Sequence, residues 1–300
     1  MMKNTKFRIY AAALICLMAT AGCAALPDAG DLIDRQPARA AEFENAKGLV
    51  SAQRSAAVLS ELKRKSGDID LLDKQIALEQ SIVGSPLVLG NKATLLQDGA
   101  ATYAAMFSAI RGATNHINLE SYIIEDDEIG DKFSDLLLER QAQGVQVNVI
   151  YDSVGGISTP KSFFDRLTKG GVSVLEFNPV NPLLARVPWA LNNRDHRKLL
   201  VVDGRIAIIG GINISSVYSS GSASKRVPKV KPSSVAWRDT DLQLEGPVVA
   251  EFQKLFIQTW EKQRGNPLAQ KDYFPALTVQ GKDIVRAIGR ALTAELSEKM

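Results

Sequence analysis

The run DHRKLLVVDGRIAIIGGINIS, residues 195–215, decides the fold. It reads as a β-hairpin. His196, Arg197 and Lys198 lead into the apolar block Leu199, Leu200, Val201 and Val202. Side chains alternate faces along a strand, so His196 and Lys198 are expected on one side. Asp203-Gly204 is a favoured tight-turn dipeptide, and residues 205–209 read as the return strand. Gly210-Gly211 follows, and Asn213 comes two residues later, where its amide can reach back to the same place. An imidazole beside an ammonium and an amide suits a phosphoester. The imidazole attacks or protonates, while the cation and the amide hold oxygens on which charge accumulates.

An isolated histidine on a strand is more often structural than catalytic. Here the context is demanding, because the 300 residues contain only two histidines. The chance that either meets Lys at +2 and Asp at +7 is on the order of one in a hundred at ordinary residue usage. The pattern H-x-K-x-x-x-x-D followed by G-G-x-N resembles the HKD motif of the phospholipase D superfamily. Four stretches look like its bacterial cardiolipin synthase branch: GSPLVLGNKATLLQDG (84–99), HINLESYIIEDDEIG (116–130), NRDHRKLLVVDGRIAIIGGINIS (193–215) and WRDTDLQLEGP (237–247).

That resemblance implies an α/β fold: a mixed β-sheet sandwiched by helices, one HKD half with an N-terminal helical extension. It implies a catalytic set of His196, Lys198 and Asp203, with His196 the nucleophile that forms a phosphohistidine. Lys198 and Asn213 would hold the non-bridging oxygens. Asp203 falls at the turn and is read as organising the hairpin. A nucleophilic imidazole needs a partner on its other nitrogen. Asp239 in WRDTD is the first choice and Asp241 the next, because alternation puts both on one face. Glu120 in LESYII is expected to border the substrate pocket. His116 begins the same strand and reads as structural. No Cys/His cluster or Asp/Glu array has metal-ligand spacing, so neither metal nor cofactor is implied.

Composition sets outer limits. Hydrophobic residues make up 45% of the chain, enough for a packed core of one large domain or two small ones. A net charge of +3 permits an anionic membrane or nucleic acid as partner and demands neither. At the N-terminus, Lys3, Lys6 and Arg8 precede an apolar stretch, residues 9–21, that ends in small residues and Cys23. This is the pattern of an export signal, too short to span a bilayer comfortably. Thr20-Ala21-Gly22-Cys23 resembles a bacterial lipobox, although Thr20 departs from the usual Leu. Processing there would remove Cys16, acylate Cys23 and leave no disulfide. Ala24 after the cysteine implies an outer-membrane lipoprotein facing the periplasm.

The expected organisation is a signal peptide over 1–23, a tether over 24–42 and a helical extension over 43–83. A phospholipase D-like domain then covers 84–265. The extension shows helical spacing of Leu59, Leu62, Leu71, Leu72, Ile76 and Leu78, with a break at Ser66-Gly67-Asp68. From residue 93 strand and helix alternate. Strands are expected at 93–97, 117–124, 145–151, 172–177 and 237–245. Helices are expected at 100–111, 129–143, 161–169 and 248–262. Residues 178–192 carry Pro179, Asn181, Pro182 and Pro188 and read as a loop near the site mouth. Residues 215–234 read as a low-complexity insertion with four cations. GKDIVRAIG (281–289) looks like the opening strand of a second half, covering 266–300.

The leading expectation is a phosphatidyl-transfer enzyme acting on membrane phospholipid, with an anionic phospholipid membrane as its partner. The alternatives are a phospholipase D hydrolase, a periplasmic nuclease working as a dimer, and an inactive truncated envelope lipoprotein. Mild net charge disfavours nucleic acid. Cardiolipin synthases carry two HKD motifs in tandem halves and this sequence has one. A homodimer completing a two-histidine site, or a truncated product, is therefore expected.

Overall fold

The computed structural model describes residues 41–66, 75, 76, 79, 85–187, 192–219 and 237–289. The signal peptide, Cys23, most of the tether, Gly67-Asp68 of the expected helix break, Leu71, Leu72 and Leu78 of the helical extension, Pro188 of the expected loop and residues 220–234 of the basic insertion lie outside these. Among the described residues, no helix is long and apolar enough to cross a membrane.

A ten-stranded mixed sheet organises the chain. Its strands are β1 (Phe43–Asn45), β2 (Gly48–Leu49), β3 (Leu87–Leu96), β4 (His116–Ser121), β5 (Gln146–Asp152) and β6 (Ser173–Phe177). They continue with β7 (Leu199–Val202), β8 (Ile206–Gly210), β9 (Asp241–Glu245) and β10 (Asp283–Val285). The order across the sheet is β2-β1-β3-β9-β8-β7-β4-β5-β6, with β10 also on β3. Strands β4, β5 and β6 run parallel, each joined by a helix, whereas β3, β9, β8, β7 and β4 pair antiparallel.

Period-two alternation makes both faces apolar. On one face, Ile117, Leu119, Val147, Val149, Leu200 and Val202 meet helices α2 (Gly99–Gly112), α3 (Glu128–Ala142) and α4 (Lys161–Lys169). Tyr103, Ile110, Phe133 and Leu167 fill that layer. On the other, Leu199, Val201, Ala207 and Leu244 meet α5 (Val249–Lys262) through Phe252, Phe256 and Trp260. Such a sheet covered on both sides is the expected sandwich. Asp98 caps α2 by accepting from Ala101 N, and Asp127 caps α3 by accepting from Ile129 N and Gly130 N.

Several local expectations change. Residues 43–49 are a hairpin rather than helix, because Asn45 accepts from Lys47 N at 2.7 Å and Gly48 takes φ +102 to close the turn. The helix α1 (Ala52–Ser66) starts after it. Strand β3 is far longer than 93–97. Strand β4 ends at Ser121 and not at 124, and 237–240 precede β9 as coil. The expected opening strand in GKDIVRAIG is β10, which pairs antiparallel with β3 of this same sheet.

This topology fixes where function can sit. The carboxyl ends of β4, β5 and β6, the start of β7, the end of β8 and the start of β9 share one end of the sheet. Segments 122–127, 153–160, 178–187, 192–198, 211–219 and 237–240 all lie there. Ligands of open α/β sheets bind at this kind of edge. His116 and Asp203 occupy the opposite end. His116 is buried, with Nδ1 on Asn115 Oδ1 at 2.9 Å, Nε2 on Gln253 Oε1 at 3.3 Å and its ring against Tyr273. Burial holds its pKa below the ordinary value.

The β7–β8 turn carries Asp203 at φ +52 and Gly204 at φ +61, and Arg205 N donates to Val202 O at 2.9 Å. Positive φ at both central positions is the type I′ requirement that suits the twist of a hairpin. The Asp203 carboxylate accepts from Thr114 N, Thr114 Oγ1, Asn115 N and His116 N at 2.8–2.9 Å. Partial burial opposes the charged form, but the amides of Asn115, His116 and Thr114 hold its pKa below the usual range. Asp203→Asn keeps the turn conformation and loses the charged acceptor, so unfolding should cost about 1–3 kcal/mol less. The sign follows from a depressed pKa. The contribution is complete above the ordinary aspartate value and is lost as pH falls through the folded one. Urea melts of both proteins at neutral and acid pH should show the gap closing in acid.

Candidate active site

Residues 195–198 stop short of the sheet ladder, because β4 makes its last pair with β7 at Glu120 and Leu199. They nevertheless keep strand-like alternation. Asp195 and Arg197 point under α5, and His196 and Lys198 point the other way, onto Tyr122. The His196 ring lies 4.6 Å from the Tyr122 ring, centroid to centroid, and Lys198 Nζ is 5.2 Å over the same ring. His196 is exposed, whereas Lys198 is only 6% exposed and donates from Nζ to His196 O at 2.7 Å. Among the described residues, no side chain hydrogen-bonds the His196 ring.

The inward pair anchors this segment. Arg197 reaches Glu120 Oε1 at 2.8 Å, Asp195 Oδ1 at 3.0 Å and Thr259 Oγ1 on α5 at 2.5 Å. Glu120 is 1% exposed. Burial, and then the hydrogen bond and charge of Asp195, raise its carboxyl well above the usual range. Burial pushes Asp195 upward too, but Glu120 and Arg197 hold it below its ordinary value. The opposite directions of these shifts favour the proton on Glu120 over Asp195, with Arg197 paired to both acids. Behind them, Asp152 at the end of β5 accepts from Asp195 N at 2.9 Å and Val154 N at 2.8 Å. It also pairs with Arg194 at 3.3 Å, and Arg194 donates to Asn178 O at 2.7 Å.

Electrostatics divide the outward pair. Burial, and then the neighbouring Lys198 charge, hold the His196 pKa below its ordinary value against Asp152 and Asp195. Burial brings Lys198 down to about 8, although Asp195, Asp239, Asp241 and Asp152 favour its charge. At neutral pH the pair is a neutral imidazole beside an ammonium.

Asn213 is buried near the site, where its Oδ1 accepts from Ile123 N at 3.0 Å and its Nδ2 donates to Tyr218 Oη at 3.1 Å. That bond uses one of the two Nδ2 hydrogens. Asp239 and Asp241 sit on the Lys198 side and do not hold the His196 ring. Asp241 Oδ1 accepts from Ile212 N at 3.1 Å. Burial and the nearby Asp239 push Asp241 up to about 6. A Cβ on Gly210 would meet Asp241 Oδ1 at 2.0 Å, and one on Gly211 would meet Asp239 Oδ2 at 2.0 Å. The Gly-Gly pair therefore admits these two acids.

Three expectations are corrected. Glu120 is sealed beneath α5 and borders no open pocket, because alternation turns it to that face of β4. Asp203 lies at the far end of β7, at the hairpin turn it was read as organising, and so falls outside the catalytic set. Asp239 precedes β9, so strand alternation does not govern it. Sequence reasoning missed Tyr122, Asp152, Asp195 and Arg197. Asp195 and Arg197 stood in the quoted run at the same two-residue spacing as His196 and Lys198, on the opposite face. Among the described residues, no group of three or more His, Cys, Asp or Glu side chains is placed to hold a metal ion.

Comparison with known proteins places this geometry. The family described as cardiolipin synthase, phospholipase D-like domain, matches residues 106–221. A cardiolipin synthase of Halalkalibacterium halodurans is 33% identical over 219 residues, covering 73% of this chain and 41% of that protein. Cardiolipin synthase A of Pseudomonas syringae is 38% identical over 192 residues, covering 63% of this chain and 38% of that protein. The chain thus spans less than half the length of these relatives. Among solved structures, the phospholipase D family member Nuc from Salmonella typhimurium aligns at a TM-score of 0.42 with 13% identity, covering 59% of this chain and 97% of that one. Residues 106–221 contain His196, Lys198 and Asn213 together with the strands that hold them, and so the chain belongs to the phospholipase D superfamily, in its cardiolipin synthase-like branch.

Proposed function

We propose that the chain transfers phosphatidyl groups on membrane phospholipid, as a cardiolipin synthase-like enzyme, through a phosphohistidine at His196. The observation that carries this reading is the pairing of an exposed, neutral imidazole with a buried lysine cation 2.7 Å from its backbone carbonyl. A neutral ring nitrogen attacks phosphorus, and the bond to the leaving alcohol breaks. Lys198 and the remaining Nδ2 hydrogen of Asn213 face the charge that gathers on the non-bridging oxygens. An acceptor alcohol then displaces the imidazole and restores a phosphodiester. Transfer and hydrolysis share the intermediate, and water exclusion decides between them.

The leaving alcohol needs a proton. The other histidine of these 300 residues, His116, is buried at the far end of the sheet, so the second imidazole comes from elsewhere, and a homodimer partner is the proposed source. Acylation of Cys23 would hold the assembly at the outer membrane, on its periplasmic face, against anionic phospholipid. Loss of palmitate labelling in Cys23→Ser tests that anchor.

Thin-layer analysis of labelled phosphatidylglycerol should reveal cardiolipin. Phosphatidic acid without cardiolipin would make the enzyme a hydrolase. His196→Ala should abolish both products and the acid-labile, alkali-stable phosphate on quenched enzyme. Its stability should stay within about 0.5 kcal/mol of the parent, because the ring is exposed. Retained turnover in His196→Ala would end the proposal.

The pH profile of kcat/KM should be bell-shaped. Its acid limb reports a His196 whose pKa is held below the ordinary 6.5, since protonation removes the nucleophile. Its alkaline limb falls near 8, where Lys198 loses its charge. Lys198→Arg should move the alkaline limb beyond pH 10 even if the maximal rate falls, because guanidinium stays charged. An unmoved limb in that variant would assign it to another group.

A further inference from the structure

We infer that the loops around His196 form an apolar rim that enters the headgroup and upper acyl layer of an anionic phospholipid bilayer. Ile157, Val180, Leu183, Leu184 and Trp237 all expose large apolar side chains. Each lies on a loop that leaves the His196 end of the sheet. Leu183 is 90% exposed at a short 3-10 turn, Pro182–Leu184, and Ile157 is 74% exposed in the β5–α4 loop. These loops are fastened to the catalytic segment. Asn178 Nδ2 donates to Asn193 O at 2.8 Å, and Val180 N donates to Ser153 Oγ at 2.9 Å. On the other flank, Trp237 N donates to Val217 O at 3.1 Å and its ring packs edge-on against Tyr218, the partner of Asn213.

The shape and charge of the rim select the occupant. A stable protein interface buries a broad, continuous apolar core. Here the apolar groups stand on three separate loops, with exposed Arg186 two residues after Leu184 and exposed Arg238 next to Trp237 in the chain. Apolar tips flanked by cations suit an anionic lipid surface, where acyl chains receive the tips and phosphates face the arginines. The rim rests on the phospholipid reading and explains how a bilayer substrate reaches the ring. A phosphodiester sits just under the headgroup plane, and withdrawing a whole lipid would expose both acyl chains to water. Bringing the rim into the layer delivers phosphorus to His196 without that exposure.

The test uses the full chain and Leu183→Glu with Leu184→Glu. On phosphatidylglycerol vesicles the double variant should lose about tenfold or more in rate. On monomeric short-chain phosphatidylglycerol it should stay within about twofold of the parent, because neither leucine touches the reacting atoms. Equal rates on vesicles, or equal losses on both substrates, would overturn the rim. A separate readout needs no turnover. The fluorescence component removed by Trp237→Phe should be quenched by vesicles of acyl-brominated phosphatidylglycerol, and unquenched Trp237 would overturn the rim. Quenching in a protein inactive on both lipids keeps the rim and discards phosphatidyl transfer. Light scattering completes the set: a dimer that the two glutamates split into monomers would assign the leucines to a second copy and overturn membrane entry.

Discussion

The placement of His196 depends on a charge cluster that never meets substrate. Arg197, Asp195 and Glu120 interlock beneath α5, and Thr259 ties them to that helix. Two acids and one guanidinium in so dry a place are tolerable only when one acid keeps its proton. The raised Glu120 and lowered Asp195 pKa values favour Glu120, the more deeply buried of the two. Once Asp195 and Arg197 are fixed inward, alternation leaves His196 and Lys198 nowhere to point but outward, onto Tyr122. The catalytic geometry is thus the obverse of a buried ion cluster, and it needs no regular strand pairing at residues 195–198.

A second constraint comes from chain direction. The antiparallel β7–β4 pairing puts the start of β7 beside the carboxyl ends of three parallel strands. Asp152, at the end of β5, can therefore accept from Asp195 N, and the β6–β7 loop can fasten on both. The same pairing sends Asp203 to the far end, where it gathers three backbone amides ahead of β4. One hairpin thereby delivers the exposed His196 ring to one end of the sheet and a fold-locking carboxylate to the other. Two members of an eight-residue sequence pattern end up with unrelated work.

Much of this could be read in the sequence, and the failures share a cause. The hairpin, the helices α2 to α5 and the alternation of His196 with Lys198 follow from local period and turn chemistry, which adjacent residues settle. Glu120, Asp239 and the stretch 43–49 were misplaced because their neighbours come from distant segments. Glu120 needs α5 to bury it, and β1 needs β3 to pair with it. Gly210-Gly211 was visible as a pair, but its reason was not: the carboxylates of Asp241 and Asp239 occupy the space where side chains would stand. A sequence shows which residues can alternate. It does not show what packs against either face.

The acids admitted by those glycines make the site respond to its own substrate. Lys198 faces Asp195, Asp239, Asp241 and Asp152, yet burial brings it down to about 8, while Asp241 rises to about 6. Both shifts arise first from burial, which withdraws solvation from the charged forms. An anionic phosphodiester beside Lys198 adds a partner worth about 4 kcal/mol at 4 Å and an effective dielectric constant near 20, before desolvation is subtracted. It must therefore raise the Lys198 pKa and strengthen the cation that holds it. The same anion disfavours a charged Asp241 and pushes that group further toward its protonated form. On the proposed phosphodiester reading, anion binding favours the protonated forms of Lys198 and Asp241, the two titrating groups behind the His196 ring.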